Sequence, residues 1–296
     1  MKKNILVTIL LCLLAPFFSA GQTAKKMDST DLRSLYNSSY VTAAVNYASD
    51  WVFAGRKDSV KCPYVSPSVS YYHKSGLFVK GQLSYLTAAS AGRIDMFSFS
   101  GGYLFSKSRL YGGVDGAVQL FNDSSYAVSS AMSGRIGIYT GYDFSIAELT
   151  LDINGLFGKE STDVLTGIEL SRRFWLFNDR VTIYPSVYVL AGTQNYYSDY
   201  YTTRRSGVKG RPGRGNAGGS GELEVVSLVS SATKRFELLS IDISLPLSYS
   251  FGQCKISFTP VYSFPQNIPV VTTNGITSRQ DFGNLFYWTA GIRYIF

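Results

Sequence analysis

Apolar and polar residues alternate through most of this chain. Between Leu239 and Phe251, apolar side chains occupy every second position, and mostly serine, aspartate and proline fill the others. A period of two places one set of side chains on each face of a β-strand. The final stretch, residues 284–296, repeats the pattern with aromatic residues on one face and ends at Phe296. Such an apolar strand face needs a cover, and lipid can provide it.

Twelve segments carry this alternation, and each reaches the roughly 9–11 residues that a tilted membrane-spanning strand requires. They are residues 39–55, 63–74, 76–87, 92–106, 109–122, 130–145, 147–159, 162–177, 180–194, 236–251, 254–265 and 283–296. Short links rich in Gly, Asn, Asp and Ser alternate with longer ones. The pattern predicts an all-β fold, a transmembrane antiparallel up-and-down β-barrel of about 12 strands, with short periplasmic turns and longer extracellular loops.

The first residues predict export. Two lysines, an apolar run and a few small residues follow one another in residues 1–21, which is the layout of a secretory signal peptide. We expect a short periplasmic segment over residues 22–38 and an outer-membrane barrel over residues 39–296. Only helices and closed barrels satisfy all backbone groups in lipid, and no later segment is apolar enough for a spanning helix. The predicted location is therefore the outer membrane of a Gram-negative bacterium.

Composition changes this picture little. Aromatic residues make up 15% of the chain and charged residues 16%, against about 25% charged in an average soluble domain.

Cys62 and Cys254 remain after removal of the signal peptide. The predicted topology puts them at opposite ends of the barrel, whereas a disulfide needs Cα atoms within roughly 7 Å. We expect both to stay unbridged.

Ten charged residues fall on the strand face predicted to point into the barrel. They are Lys80, Asp115, Arg135, Asp143, Asp152, Glu169, Arg173, Asp242, Lys255 and Arg293. Five are basic and five acidic, and we expect them to pair because an unpaired buried charge is costly; Arg293 should meet a carboxylate such as Asp242 or Asp50. They either stiffen a closed, filled barrel or line a narrow polar channel.

A long basic, glycine-rich loop is predicted over residues 195–235. Its candidate anion-binding residues are Arg204, Arg205, Lys209, Arg211 and Arg214. Arginine binds phosphate and carboxylate bidentately, so lipopolysaccharide, surface glycan or another envelope protein are the expected partners. The alternative is a flexible solvated loop. Although arginine, glycine and tyrosine together are also found in binders of single-stranded nucleic acid, the signal peptide argues against nucleic acid as a partner.

Little in the chain supports catalysis. A nucleophilic serine needs a basic partner, and the single histidine, His73, falls in a predicted periplasmic turn. The scarcity of His and Cys also argues against a metal site, and no cofactor motif is present. We expect no enzyme, although paired luminal carboxylates keep an acid–acid hydrolase conceivable.

Several stretches resemble an uncharacterised family of outer-membrane β-barrel proteins from Bacteroidota-type bacteria. They read SDWVFAGRKDS at residues 49–59, YYHKSGLF at 71–78 and GTQNYYS at 192–198. The resemblance implies a barrel and its location, and it implies no activity. The last strand also resembles the signal that barrel-assembly machinery reads on its client proteins, carried here by Trp288, Ile292, Tyr294 and Phe296.

Two functions follow from these patterns. The main expectation is a closed or narrow accessory barrel whose extracellular loops bind surface glycan or partner proteins. The alternative is a transport channel for small polar or charged solutes. Filling of the lumen by bulky side chains would favour the accessory barrel, and five inward tyrosines point that way: Tyr111, Tyr139, Tyr184, Tyr188 and Tyr287.

Overall fold

A computed structural model describes residues 38–88, 92–206, 226–228, 235–273, 276–279 and 283–296. The predicted signal peptide and nearly all of the segment over residues 22–38 lie outside the described residues. Among the described helices, none is long and apolar enough to cross a membrane. Cys62 and Cys254 are both free thiols.

Eighteen β-segments, one 3₁₀ turn and one α-helix make up the described regular structure. They are β1 (Tyr40–Ala48), β2 (Tyr64–Tyr72), β3 (Leu77–Leu86), β4 (Arg93–Lys107), β5 (Leu110–Phe121), the 3₁₀ turn (Val128–Ala131), β6 (Met132–Asp143), β7 (Glu148–Gly158), β8 (Thr162–Ser171), β9 (Phe174–Leu176), β10 (Val181–Ile183), β11 (Ser186–Gly192), α1 (Asn195–Ser206), β12 (Val226–Leu228), β13 (Glu237–Ser244), β14 (Leu247–Phe251), β15 (Cys254–Pro265), β16 (Val270–Thr273), β17 (Ile276–Arg279) and β18 (Leu285–Ile295).

Fifteen of these segments form one antiparallel sheet, in which the first strand, β1, pairs with the last, β18, and the pairing of β13 with β15 closes the ring. Three barrel strands are each interrupted and consist of two segments, which are β8 and β9, β10 and β11, and β13 and β14. Two of the breaks fall at Pro185 and Pro246, which have no N–H to donate. Their carbonyls still accept hydrogen bonds, from Arg172 at 3.1 Å and from Tyr184 at 2.9 Å. The ring therefore contains 12 strands, and the predicted antiparallel barrel is confirmed.

The two faces of each strand differ as the alternation predicts. Along β7, Thr150 and Asp152 point inward and are buried, whereas Leu151 and Ile153 are exposed on the outside. On β18, Phe286 is 63% exposed. Because large apolar side chains cover the outer surface of every part of the ring, lipid is the cover that this surface requires. The barrel strands are the membrane-spanning segments.

The two ends of the barrel are unequal. At the turn end, tight links such as those around His73 and Ser145 join neighbouring strands. At the loop end, residues 49–63, 122–131 and 193–236 make longer connections. This asymmetry matches the predicted arrangement of short turns and long loops.

The predicted first strand, residues 39–55, is too long. β1 ends at Ala48, and residues 49–62 fold over the loop end of the barrel. The chain reverses at Ala54 and Gly55, which both have positive φ (50° and 69°), and Phe53 and Arg56 exchange backbone hydrogen bonds across this turn. The apolar residues that suggested a strand are buried inside the barrel mouth instead of facing lipid.

The prediction of a loop throughout residues 195–235 is also wrong at its start, where α1 forms. The carboxylate of Asp163 accepts the N–H groups of Asn195 (2.8 Å) and Tyr196 (2.7 Å), which satisfies two donors that the first turn of a helix leaves open. β12 pairs with β16, and β16 with β17, in a separate three-stranded sheet.

Candidate functional site

Residues 49–62 cross the loop end of the barrel, and we call this segment the plug. Its consecutive side chains Trp51, Val52 and Phe53 are each at most 2% exposed and pack against three different parts of the wall. Trp51 packs with Tyr64, Leu86 and Met96 of β2, β3 and β4; Val52 with Val261, Leu285 and Tyr287 of β15 and β18; and Phe53 with Leu165, Leu190 and Tyr196 of β8, β11 and α1. The plug is therefore anchored right across the mouth.

Arg56 holds the plug through neutral acceptors. Its guanidinium is buried and donates from Nη1 to the carbonyl of Leu239 (2.9 Å) and from Nη2 to the carbonyl of Gln266 (2.6 Å). Nε and Nη2 both donate to Oε1 of Gln194, at 3.2 and 2.9 Å. Burial lowers the pKa of Arg56, since the charged form loses its hydration. These bonds tie the plug to β13 and to the connections that follow β11 and β15.

Two carboxylates complete the plug. Asp50 accepts the Nζ of Lys57 (2.6 Å) and the N–H of Cys62 (2.8 Å), which ties the two ends of the segment together. Asp58 accepts the hydroxyl of Tyr200 on α1 at 2.6 Å. The plug and α1 therefore form one packed unit. Sequence reasoning did not identify Arg56 or Asp58 as site residues, because their partners lie more than a hundred residues away along the chain.

Below the plug, a polar network runs along one side of the lumen. Arg135 forms a buried ion pair with Asp115 and donates to Oδ1 of Asn154 at 2.8 Å. Asn154 in turn donates to Asp152 (2.8 Å), which also accepts the hydroxyl of Tyr188 (3.1 Å). The network links β5, β6, β7 and β11 and brings four predicted luminal or inward residues together.

A second ion pair lies nearer the turn end. Arg173 donates to Glu148 at 3.0 Å and stacks over the ring of Tyr184, with the guanidinium carbon 4.5 Å from the ring centre. Tyr111 donates to the same carboxylate oxygen at 3.1 Å. Glu148 was missing from the predicted luminal charges, although it shares the inward alternation of Thr150 and Asp152 within the predicted seventh strand. That alternation was signal enough to find it.

Two of the inward tyrosines lie flat against the barrel wall. A ring atom of Tyr111 lies 2.3 Å from the position that a Cβ would take at Gly141, and the hydroxyl of Tyr188 lies 2.1 Å from that position at Gly167. Each ring thus occupies the space that a side chain would fill on a neighbouring strand. Filling of the lumen by the five inward tyrosines stays a prediction; these two rings are buried, at 3% and 7% exposure.

The remaining luminal charges are separated by sign. Lys255 lies directly opposite Arg293 in the β15–β18 pair, and Lys80 lies close enough for repulsion by Arg293. All three cations are partly exposed. In the ring of strands, Lys80 on β3 is five steps from Glu169 on β8 in one direction and five from Asp242 on β13 in the other. Glu169 is thus across the ring from Lys80, whereas Asp242 lies on the strand next to that of Lys255 and is separated from it along the strand direction.

The expected contact of Arg293 with Asp242 or Asp50 is wrong. Asp242 lies opposite Ser263, eight positions along β15 from the partner of Arg293, which is about 26 Å of strand. Asp242 accepts the hydroxyl of Ser263 at 2.5 Å, and Asp50 belongs to the plug. Side-chain alternation identifies the face of a strand, but the stagger of the barrel decides which charges meet.

Several buried polar side chains on the wall near the three cations have atoms without a hydrogen-bond partner in the described structure. They are both amide atoms of Asn46 and the hydroxyls of Ser248, Thr259 and Thr289. Asn46 is on β1, Thr289 on β18, Thr259 on β15 and Ser248 on β14. Polar atoms inside proteins are nearly always paired with protein, water or ligand. Within the described residues, this part of the wall therefore differs from the paired network around Arg135.

The other predicted site residues lie away from the lumen. Asp143, which was predicted to belong to the luminal charge network, ends β6 and accepts the N–H of Ser145 at 2.6 Å, so it caps a turn. His73 lies in the turn between β2 and β3, where its Nδ1 is 2.8 Å from the hydroxyl of Ser75. On β18, the side chains of Trp288, Ile292, Tyr294 and Phe296 lie on the outer face.

The basic residues of the predicted anion-binding loop fall largely outside the described structure. Arg204 and Arg205 belong to the last turn of α1. Lys209, Arg211 and Arg214 lie outside the described residues. Their role stays a prediction.

Comparisons with known proteins find a distant likeness to bacterial barrels. No protein-family model matches the chain, and no curated protein matches it. Among solved structures, a NanC porin has a TM-score of 0.45 at 8% identity over 86% of this chain and 98% of its own. A KdgM porin has a TM-score of 0.41 at 9% identity, with the same coverage. A bacterial polysaccharide outer membrane secretin has 0.40 at 11% identity, over 88% and 99%.

Proposed function

We propose that this protein is a narrow channel in the outer membrane of a Gram-negative bacterium, passing small polar or charged solutes, with the plug restricting its loop end. The observation that carries the proposal is the gathering of Lys80, Lys255 and Arg293 on one part of the luminal wall, apart from the paired network around Arg135. A cluster of charges of one sign attracts solutes of the other sign where water fills the lumen.

Two further features support a channel. The rings of Tyr111 and Tyr188 pack over Gly141 and Gly167 of neighbouring strands, where no side chain competes for the space. Polar atoms without protein partners on β1, β15 and β18 call for water or solute inside the barrel. The plug acts as a constriction at one end of this polar lumen.

Solute flux into liposomes tests the proposal. Purified protein is reconstituted, and osmotic swelling is followed with arabinose, glycine and raffinose outside. We expect the two small solutes to enter faster than into protein-free liposomes, and the trisaccharide to enter more slowly. Swelling rates equal to those of protein-free liposomes for all three solutes would contradict the channel.

The second candidate is an accessory barrel with a shut lumen, and the anchoring of the plug on three sides favours it. In that function the basic loop would bind lipopolysaccharide, surface glycan or another envelope protein. Replacing Lys209, Arg211 and Arg214 by serine would then weaken retention on immobilised lipopolysaccharide while swelling stays at the background rate. Under the channel proposal, the same substitutions leave the swelling rates of the reconstituted protein unchanged.

Delivery to the membrane would use the last strand in either case. We propose that barrel-assembly machinery engages the outward aromatic residues that end at Phe296. Removing Phe296 should lower the yield of folded barrel in the membrane, whereas Phe177→Ala, which removes an equally exposed aromatic residue from a turn, should not.

A further inference from the structure

We propose that the hairpin formed by β9 and β10 carries a binding site for an anionic phospholipid on the outside of the barrel, at its turn end. Arg180 holds the phosphodiester group, and Arg172 adds positive charge to the same hairpin. The acyl chains lie along the outward side chains of the neighbouring strands. The inference goes beyond the proposed function, because it concerns the surface that contacts lipid and not the lumen.

A cavity of about 560 Å³ lies beside the turn of this hairpin, and it has both polar and apolar lining. The residues that line it are Phe177, Asn178, Arg180, Val181 and Tyr249. Val181 lies directly opposite Tyr249 in the β10–β14 pair, and Tyr249 is 43% exposed on the outside of the barrel. The next residue of β10, Thr182, is buried on the inner face. The cavity therefore opens toward the membrane.

Arg172 marks the depth of the hairpin in the membrane. Ile168 and Leu170 are outward and exposed on β8, and Arg172 occupies the next outward position. An outward arginine is costly in the middle of the hydrocarbon layer and nearly free of cost at its boundary. Aromatic side chains collect at the same boundary, and Phe177 at the turn is 75% exposed. The hairpin therefore lies at the level of the lipid headgroups.

Both guanidiniums are available to an anion. Arg172 and Arg180 are exposed, and neither forms a salt bridge within the described structure, although Asp179 adjoins Arg180 in the chain. Arg172 stacks over the ring of Phe174, with its guanidinium carbon 5.3 Å from the ring centre. Stacking engages the face of the guanidinium, and its N–H donors lie at the edge. Arginine binds phosphate bidentately through such donors.

The backbone fixes the position of Arg180 at the cavity. Its N–H donates to the carbonyl of Phe177 at 3.3 Å, and its carbonyl accepts the N–H of Ser250 on β14 at 2.8 Å. The guanidinium therefore starts from a defined point between the turn and β14.

Charge and apolar surface together favour a phospholipid over other anions. A soluble phosphate would contact the arginines alone, whereas a phospholipid also covers exposed apolar side chains such as Leu176, Tyr249 and Phe251. The predicted topology puts this end on the periplasmic side, away from the loops that were expected to meet lipopolysaccharide. An anionic phospholipid of the periplasmic leaflet is the ligand that matches both features.

Native mass spectrometry of the full chain in detergent tests the site. Dioleoyl phosphatidylglycerol is the probe, dioleoyl phosphatidylcholine is the matched lipid without net charge, and inorganic phosphate is the anion without acyl chains. A basic residue near an anionic lipid contributes a factor of roughly five to its affinity. Phosphatidylglycerol should therefore bind more tightly than phosphatidylcholine by at least that factor, and inorganic phosphate should not displace it. Arg180→Gln should remove most of the preference, and Arg172→Gln a smaller part.

Arg109→Gln is the matched control, since it removes one exposed arginine from the turn between β4 and β5 at the same end of the barrel. It should keep the preference of the wild type, and heat-modifiable migration in gels should show that every variant is a folded barrel. Equal binding of the two lipids, displacement by inorganic phosphate, or the same loss of preference in Arg109→Gln and Arg180→Gln would overturn the site. Solute flux does not enter this measurement, so failure of the channel proposal would leave its outcome unchanged.

Discussion

The plug and the luminal wall below it contain similar residues and use them differently. In the plug, Arg56 and Asp50 have their donors and acceptors engaged by the protein itself, and Trp51 and Phe53 are packed as in a soluble core. On the wall of β1, β15 and β18, several buried polar atoms have no hydrogen-bond partner among the described residues, and cations gather. The plug is thus packed and hydrogen-bonded within the described structure to a degree that this part of the wall is not.

This difference predicts which region determines the stability of the barrel and which determines its permeability to solutes. A satisfied, close-packed region resists opening, because every bond broken leaves a buried group unpaired. A wall with open hydrogen-bonding positions is suited to exchange of water and solute, which replace one another at little cost. The luminal network around Arg135 is intermediate between these two regions, since it is hydrogen-bonded like the plug but belongs to the barrel wall. Substitutions should therefore affect barrel stability in the network, permeability in the plug, and little at the outer turns.

The largest effect on stability is expected at the buried ion pair. Arg135→Gln would leave the charge of Asp115 buried and uncompensated, which costs about 3–5 kcal/mol in the free energy of unfolding. Urea unfolding of the barrel in detergent, followed by tryptophan fluorescence, measures it. Combining Arg135→Gln with Asp115→Asn should recover much of the loss, and a double variant as unstable as the single one would refute the pairing argument.

A smaller stability effect with a large effect on permeability is expected in the plug. Arg56→Ala removes hydrogen bonds from a charged donor to buried acceptors, which should make opening of the plug easier by about 3 kcal/mol, or roughly a hundredfold in population. Barrel folding, judged by heat-modifiable migration, should be unchanged. Arg180→Ala, at an exposed turn position, is the matched control and should leave permeability as it is.

The glycines under the luminal rings should show an intermediate effect. Gly141→Ala would force the ring of Tyr111 away from the wall, since its Cβ would overlap that ring, and overpacking of this kind costs about 1–3 kcal/mol. The displaced ring should also lower solute flux in swelling assays. Adding Tyr111→Ser should restore flux; if flux stays low in the double variant, the ring is not the obstruction.

The smallest effect is expected at the turn end. His73→Ala changes a partly exposed turn residue whose ring interacts with Ser75, and the free energy of unfolding should change by no more than about 0.5 kcal/mol. Flux should also be unchanged. A loss of flux in this variant would indicate that the turn end, and not the plug, limits passage.

Much of the barrel could be predicted from sequence because alternation is a local property. Residues such as Leu151 and Asp152 reveal their faces by their immediate neighbours, and β-turn residues mark the strand ends. The plug could not be predicted, since an apolar run such as Trp51–Phe53 looks the same whether lipid or the barrel interior covers it. The neighbours of the luminal charges could not be predicted either. The stagger between strands is a property of the whole ring, and it places Arg293 opposite Lys255 and not beside Asp242.

Single-channel recording in planar bilayers tests the central claim most directly, with wild type and Arg56→Ala measured side by side in potassium chloride. The account predicts small, stable conductance steps for the wild type and larger or more frequent steps for the variant, with both proteins migrating as folded barrels. The absence of conductance steps from both folded proteins, or identical steps from the two, would contradict a polar channel restricted by the plug.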